Sequence, residues 1–560
     1  MNKNRQKELA RTGRSLLKLH TLGAAHAVTG SLFLFELFAE NKVTRFILDV
    51  GLTVENQMAD FQKRLPSGIN AADIDHVIIS HAHVDHCGYL PKLIKDGFKG
   101  KVFVTPATRD LMAIILPDSG YLQEEAAKRH KARYDRDHKL ALAGSTAAAP
   151  ASGSAAFFDN GKVPAAKTSR SRSQSRSSQH KSASGRGESA SPRFTPLYTQ
   201  IDGQEAIKTL VAVDYHQRRR LTPELAFTFT DAGHILGSAV VNLEIGEGSQ
   251  KKTFCFTGNV GRRDMPLLRD LEPVKSADYL MLEATYGNRL HQKRDRLAVL
   301  QTKISEAYAR AKHRDPKFGC GVILIPSFAV GRGQTVLNDL RILMESGRLP
   351  KIPVFVDGKM TLKATEVYKS HAAIMDDDTR KLLEAGIDPY QTPRQTSCED
   401  WRASEALRNP HSEPVIIVGS SGMAAGGRIV NHLAHWLPGK QNTVVFVGYQ
   451  GTGTLGQAIV RTSAGERPDS VSQTPLTPQT VRISGKPVSL RAQIEFIPDY
   501  SAHADYEDQL AWLKKFTRQP KMTFIVHGDE EALVGLKGHV EQTLGWKNVV
   551  IPSKNQEFEL

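Results

Sequence analysis

The run Ser80-His81-Ala82-His83-Val84-Asp85-His86-Cys87-Gly88 constrains this chain more than any other stretch, because three imidazoles and a carboxylate fall within six residues. It directly follows the apolar run Val77-Ile78-Ile79, which reads as a buried strand, so the cluster sits on the loop that leaves that strand. Imidazole nitrogen and carboxylate oxygen both suit zinc, and an open coordination position lets zinc carry a reactive water. On an extended segment His81 and His83 point the same way and serve one ion, while Asp85 and His86 come round the following turn to serve a second. A chance cluster of polar loop residues is the plain alternative, ordinary for one histidine and improbable for this spacing.

Two ions with only four ligands are under-coordinated, so histidines in similar settings are expected elsewhere. His234 ends the strand-like alternation Phe227-Thr228-Phe229-Thr230-Asp231, and His503 lies in Asp499-Tyr500-Ser501-Ala502-His503-Ala504-Asp505. Either one alone is more often a structural loop residue. Beside the first cluster, both read as ligands.

The motifs occur in a fixed order along nearly the whole chain. Gly23-Ala24-Ala25-His26 and Leu48-Asp49-Val50-Gly51 precede the histidine cluster, and Asp231-Ala232-Gly233-His234 and Glu283-Ala284-Thr285-Tyr286-Gly287 follow it. Next come Pro326-Ser327-Phe328-Ala329-Val330-Gly331-Arg332, Ser421-Gly422-Met423 with Gly426-Gly427-Arg428, Gly448-Tyr449-Gln450, Ser501-Ala502-His503 and Val526-His527-Gly528. In this order they resemble the metallo-β-lactamase superfamily, specifically its β-CASP branch and the RNA-acting ribonuclease group that includes the mRNA 3′-end cleavage endonuclease and its bacterial and archaeal relatives.

That resemblance implies an α/β fold in which a metallo-β-lactamase αββα sandwich carries an inserted β-CASP domain with a parallel sheet. The sandwich is expected over 1–285 and 470–560, and the β-CASP domain over 286–469. It further implies hydrolysis of RNA phosphodiester bonds by metal-activated water, with Asp85 and Glu283 as catalytic carboxylates. Two zinc ions are expected, one held by His81, His83 and His234 and the other by Asp85, His86 and His503, with Asp49 supporting a ligand from behind. Arg332, Ser421 and Arg428 are the expected phosphate contacts, and His527 is expected to be a structural strand end without metal.

One departure stands out. Where the family carries Phe-Thr-Gly-Asp, with the aspartate bridging the metals, this chain has Phe256-Thr257-Gly258-Asn259. An amide has a neutral carbonyl oxygen and a non-ligating NH2, so one zinc site is expected to be weaker and hydrolysis slower. An RNA-binding pseudonuclease of the same fold is the alternative reading.

The 560 residues are too many for one typical core, and 40% hydrophobic content supports globular domains. The four cysteines show neither disulfide-scaffold nor zinc-finger spacing, which fits a reducing compartment. Without an apolar segment near the start of the kind a secretory signal needs, a cytoplasmic protein is expected. A net charge of +15 favours a polyanionic partner. RNA is that expected partner, no membrane is expected, and a homodimer stays open. Between 143 and 195 eight basic residues face two acidic ones amid Ser, Ala and Gly, and this stretch is expected to be a disordered insert.

Overall fold

Strand β2, Leu32–Ala39, shows how the sequence pattern is used. Phe33, Phe35 and Leu37 enter one core while Leu32 and Leu34 enter another, as the two-residue repeat of a strand requires. A strand buried on both faces belongs to a sheet covered on both sides. In the computed structural model, which describes residues 16–39, 42–53, 65–144, 195–248, 251–451, 453–465 and 479–560, β2 lies in a seven-stranded sheet. Its order is β22 (Gln556–Glu559), β1 (Leu16–Thr21), β2, β3 (Lys42–Val50), β4 (His76–Ile78), β5 (Lys101–Val104), β6 (Leu210–Ala212). Strands β3 to β6 run parallel, and the others pair antiparallel.

A second seven-stranded sheet has the order β21 (Val549–Val550), β20 (Met522–Val526), β11 (Tyr279–Glu283), β10 (Lys252–Phe256), β9 (Ala239–Ile245), β8 (Leu225–Asp231), β7 (Arg219–Thr222). Aromatic side chains fill the space between the two sheets: Phe35 meets Phe254 at 5.1 Å and Phe33 meets Phe256 at 5.6 Å between ring centroids. Outside the first sheet lie Leu90 and Leu93 of the helix Leu90–Lys95 and Leu111 and Met112 of the helix Pro106–Gly144. Outside the second lie Leu510 and Leu513 of the helix Tyr506–Leu513 and Leu533 and Leu536 of the helix Glu530–Leu544. These four layers are the αββα sandwich.

The third sheet is parallel throughout, in the order β14 (Gln395–Cys398), β13 (Val354–Asp357), β15 (Val415–Gly419), β12 (Val322–Pro326), β16 (Thr443–Phe446), β19 (Gln493–Phe496). Its central strands are continuous apolar runs because both faces are covered: Ile323 and Ile325 enter one core, Val322 and Leu324 the other. The hairpin of β17 (Thr480–Ile483) and β18 (Lys486–Ser489) sends Val481 and Ile483 into the latter core. Because β19 pairs with β16, the return to the sandwich falls after Phe496, later than the boundary at 470 read from the sequence. The chain leaves the sandwich after β11 and is back in it by the helix Tyr506–Leu513, after which β20 pairs parallel to β11 with Glu283 opposite Val526.

From Leu122 on, the distal part of the helix Pro106–Gly144 belongs to a separate unit. Of the insert expected over 143–195, residues 145–194 lie outside the described residues. Among the described residues, no helix is long and apolar enough to cross a membrane.

Candidate metal centre and substrate cleft

The carboxyl ends of several sandwich strands deliver the site, the place where α/β sheets generally bind ligands. Asp49 is the next-to-last residue of β3, Ser80 and His81 follow β4, Glu283 closes β11, and His527 follows β20. Close approach is built in by glycine. A Cβ on Gly51 would fall 1.6 Å from the carbonyl oxygen of Asp85, so only glycine lets β3 seat the histidine loop. Gly258, at φ 55°, similarly presses against the Ser80 side chain.

Two groups of ligand atoms form. His81 Nε2 lies 3.1 Å from His83 Nδ1, and His234 Nε2 lies 3.3 Å from the same atom. His86 Nε2 lies 3.1 Å from His527 Nε2, and each of these nitrogens is 3.5 Å from Asp85 Oδ2. Tetrahedral ligands at the zinc–nitrogen distance of roughly 2.0–2.1 Å stand about 3.3 Å apart, so both groups fit zinc. Asn259 is buried, and its Oδ1 has no hydrogen-bond partner among the described residues. It stands between Gly258, which packs on Ser80, and Val260, whose amide donates to Glu283 at 3.0 Å.

The ligands are oriented from behind. The buried Asp49 carboxylate accepts from His86 Nδ1 at 2.6 Å, from the Ser80 amide at 2.7 Å and from Ser80 Oγ at 3.0 Å. Ser80 Oγ in turn stands 3.0 Å from His81 Nδ1. Asp49 thus fixes which nitrogen of His86, and through Ser80 which of His81, faces the centre. Burial holds His81 and His234 well below the ordinary imidazole value, and it takes His83 down to about 4 against the pull of Asp85. All three are neutral donors at neutral pH. Burial also disfavours the His86 cation, but Asp85 and Asp49 outweigh it and raise this pKa. Burial opposes the Asp85 carboxylate too, and His86 and His527 nonetheless hold it well below the usual range.

The structure corrects the expected second ligand group. His527, expected to be a structural strand end, joins Asp85 and His86, and His503 does not. The reason is topological: β20 ends beside β11, and His527, in the left-handed region at φ 55°, turns its ring toward His86. The sequence carried a signal, since His527 follows the apolar run Phe524-Ile525-Val526 as His81 follows Val77-Ile78-Ile79. His503 instead places Nδ1 3.0 Å from Glu283 Oε1, with its ring 4.5 Å from that of His234. Burial opposes the Glu283 carboxylate, and His503 brings its pKa down to about 2.

The three expected phosphate contacts divide. Arg332 stands over the Phe328 ring at 4.7 Å and donates to the Tyr500 carbonyl at 3.1 Å, with no carboxylate pairing with it among the described residues. Burial pushes its pKa down to about 10, and its charge is felt at His83. Arg428 is corrected: its guanidinium is taken up by Asp357 Oδ1 and the Cys398 carbonyl, both at 2.9 Å, and by the Glu399 carbonyl at 2.8 Å. Ser421 is half-buried, and its Oγ accepts from the Ala425 amide at 3.2 Å.

Known proteins resemble this chain along most of its length. Residues 333–459 match the Beta-Casp domain, residues 487–552 the Zn-dependent metallo-hydrolase RNA specificity domain, and residues 17–103 the anti-Pycsar protein Apyc1. A ribonuclease of Thermus thermophilus is 29% identical over 93% of this chain and 95% of its own length. The transcription termination factor FttA of Methanosarcina mazei is 27% identical over 94% of this chain and 69% of its own, and that of Methanocaldococcus jannaschii 26% over 92% and 67%. The chain belongs to the β-CASP branch of the metallo-β-lactamase superfamily, among its RNA-acting hydrolases.

Proposed function

We propose that this protein is a zinc-dependent ribonuclease with one zinc site weakened by Asn259. The observation that carries the reading is the pair of ligand groups that one loop begins and distant histidines complete, His81–His83–His234 and Asp85–His86–His527. When bound there, two zinc ions would acidify a water and stabilise charge on the phosphoryl oxygens.

The chain's own residues supply the rest. Asp49 holds His86 in one tautomer directly and His81 through Ser80. Arg332, which pairs with no carboxylate among the described residues, offers its guanidinium to a phosphate. Glu283, anchored by the amides of Val260 and Thr285, orients His503 through Nδ1 and leaves Nε2 to give a proton to the departing oxygen. RNA as substrate is supported by the RNA specificity domain and by the names of the relatives.

A second reading, an RNA-binding pseudonuclease, is favoured by Asn259 alone, whose amide brings no charge to the centre. The test is cleavage of labelled RNA and DNA of one sequence, before and after chelation and after zinc is restored. The proposal expects slow RNA cleavage, lost on chelation and regained with zinc. RNA binding without cleavage under every condition would establish the pseudonuclease instead.

A further inference from the structure

Two segments place an arginine between two aromatic rings at the edge of the Glu283–His503 pair. Arg289 lies 5.8 Å over the ring of Tyr286 and 5.6 Å over that of Tyr449. The Tyr286 ring is in turn 6.1 Å from the His503 imidazole, so this ladder begins at the proposed proton donor. Tyr449 follows β16 of the parallel sheet, and 38% of it is exposed, while the neighbouring Leu290 is 49% exposed. Among the described residues the carboxylate nearest to pairing with Arg289 is Asp529, at 3.8 Å, too long for a hydrogen bond.

A folded core gains nothing from leaving a tyrosine ring half open beside a weakly compensated guanidinium. Single-stranded RNA gains from both, because its unstacked bases lie on tyrosine rings and arginine planes while its phosphates meet the positive charge. We propose that Tyr449 and Arg289 form a stacking platform for a nucleobase a short way along the strand from the phosphodiester held at the ligand groups. The inference rests on the ribonuclease reading above. A stacked base is accepted whatever its identity, since every base has a π face, so the platform demands a base without choosing one.

The test uses full-length protein and a ten-nucleotide single-stranded oligouridylate in which one abasic residue is walked along the strand. Affinity is read by fluorescence anisotropy, and zinc by mass spectrometry. In the unmodified protein an abasic residue at one position should weaken binding roughly 5- to 150-fold, the range for one stacked base. Tyr449→Ala should weaken the intact oligonucleotide by a similar factor and make the abasic position silent. Tyr449→Phe should restore binding, and both variants should keep the zinc content of the unmodified protein.

A flat abasic scan, or Tyr449→Ala binding like the unmodified protein, would overturn the platform while leaving the ribonuclease reading in place. Loss of zinc in Tyr449→Ala would also overturn it, by showing that the ring supports the fold around the site. Failure of the unmodified protein to bind or cleave RNA at all would remove both.

Discussion

An asparagine at position 259 offers a metal one neutral carbonyl oxygen, where a carboxylate would offer two oxygens and a negative charge. Two zinc ions sharing the site with a single ligand carboxylate, Asp85, would therefore repel each other more than across an aspartate. Asn259→Asp should raise zinc bound per chain and the rate of RNA cleavage together, as measured by mass spectrometry and single-turnover kinetics. An unchanged zinc content and rate would show that the amide oxygen already suffices. The imidazole pKa values give a second expectation. Protons compete with metal, and a lowered pKa moves that competition to lower pH while a raised one moves it higher. His81, His83 and His234 are lowered, His83 to about 4, whereas His86 is raised. On dialysis from pH 8 to pH 5 the Asp85–His86–His527 group should lose zinc first, and zinc released in one step or in the reverse order would count against the assignment. The sequence pointed to His81, His83, His234, Asp85, His86 and Asp49, and the fold brings these side chains together. The sequence pattern assigned the second group to His503 and left His527 without metal, because the pairing of β20 with β11, far apart in the chain, is what carries His527 to His86.

The elements explain why Arg428 looked like a phosphate contact and is placed otherwise. It opens the helix Arg428–Trp436 after a glycine-rich turn, a setting that suits an anion. The fold instead brings β13 beside β15, so that Asp357, with its side chain fully buried, reaches Arg428, His432 and Ser404. Arg428→Ala should lower stability by about 2 kcal/mol, less than the ~3–5 kcal/mol for breaking a fully buried pair, because Arg428 is partly exposed and His432 and Ser404 remain. Chemical denaturation measures this. A variant as stable as the parent but with weaker RNA binding would return Arg428 to the substrate. Strands were legible where an apolar run is buried on both faces, as in β12 and β15, since no other element of that length hides every residue. Strand β19, Gln-Ile-Glu-Phe, alternates polar and apolar residues at the sheet edge, which is why its membership in the third sheet was not read and the boundary fell too early.

Over the whole molecule, a net charge of +15 makes RNA affinity fall with salt, because bound phosphates release counterions. Residues 145–192 carry seven basic and two acidic side chains, and their deletion should leave zinc content intact while making the slope of log affinity against log salt shallower. A slope unchanged by deletion would place all the phosphate contacts elsewhere. In the proposed site the pairing of β20 with β11 completes the second ligand group with His527 and leaves His503 to work with Glu283. The most direct test is zinc per chain, measured beside RNA turnover, in the unmodified protein, His527→Ala and His503→Ala. His527→Ala should lose zinc and activity together, whereas His503→Ala should keep its zinc and lose turnover. Zinc lost from His503→Ala and retained by His527→Ala would contradict this assignment.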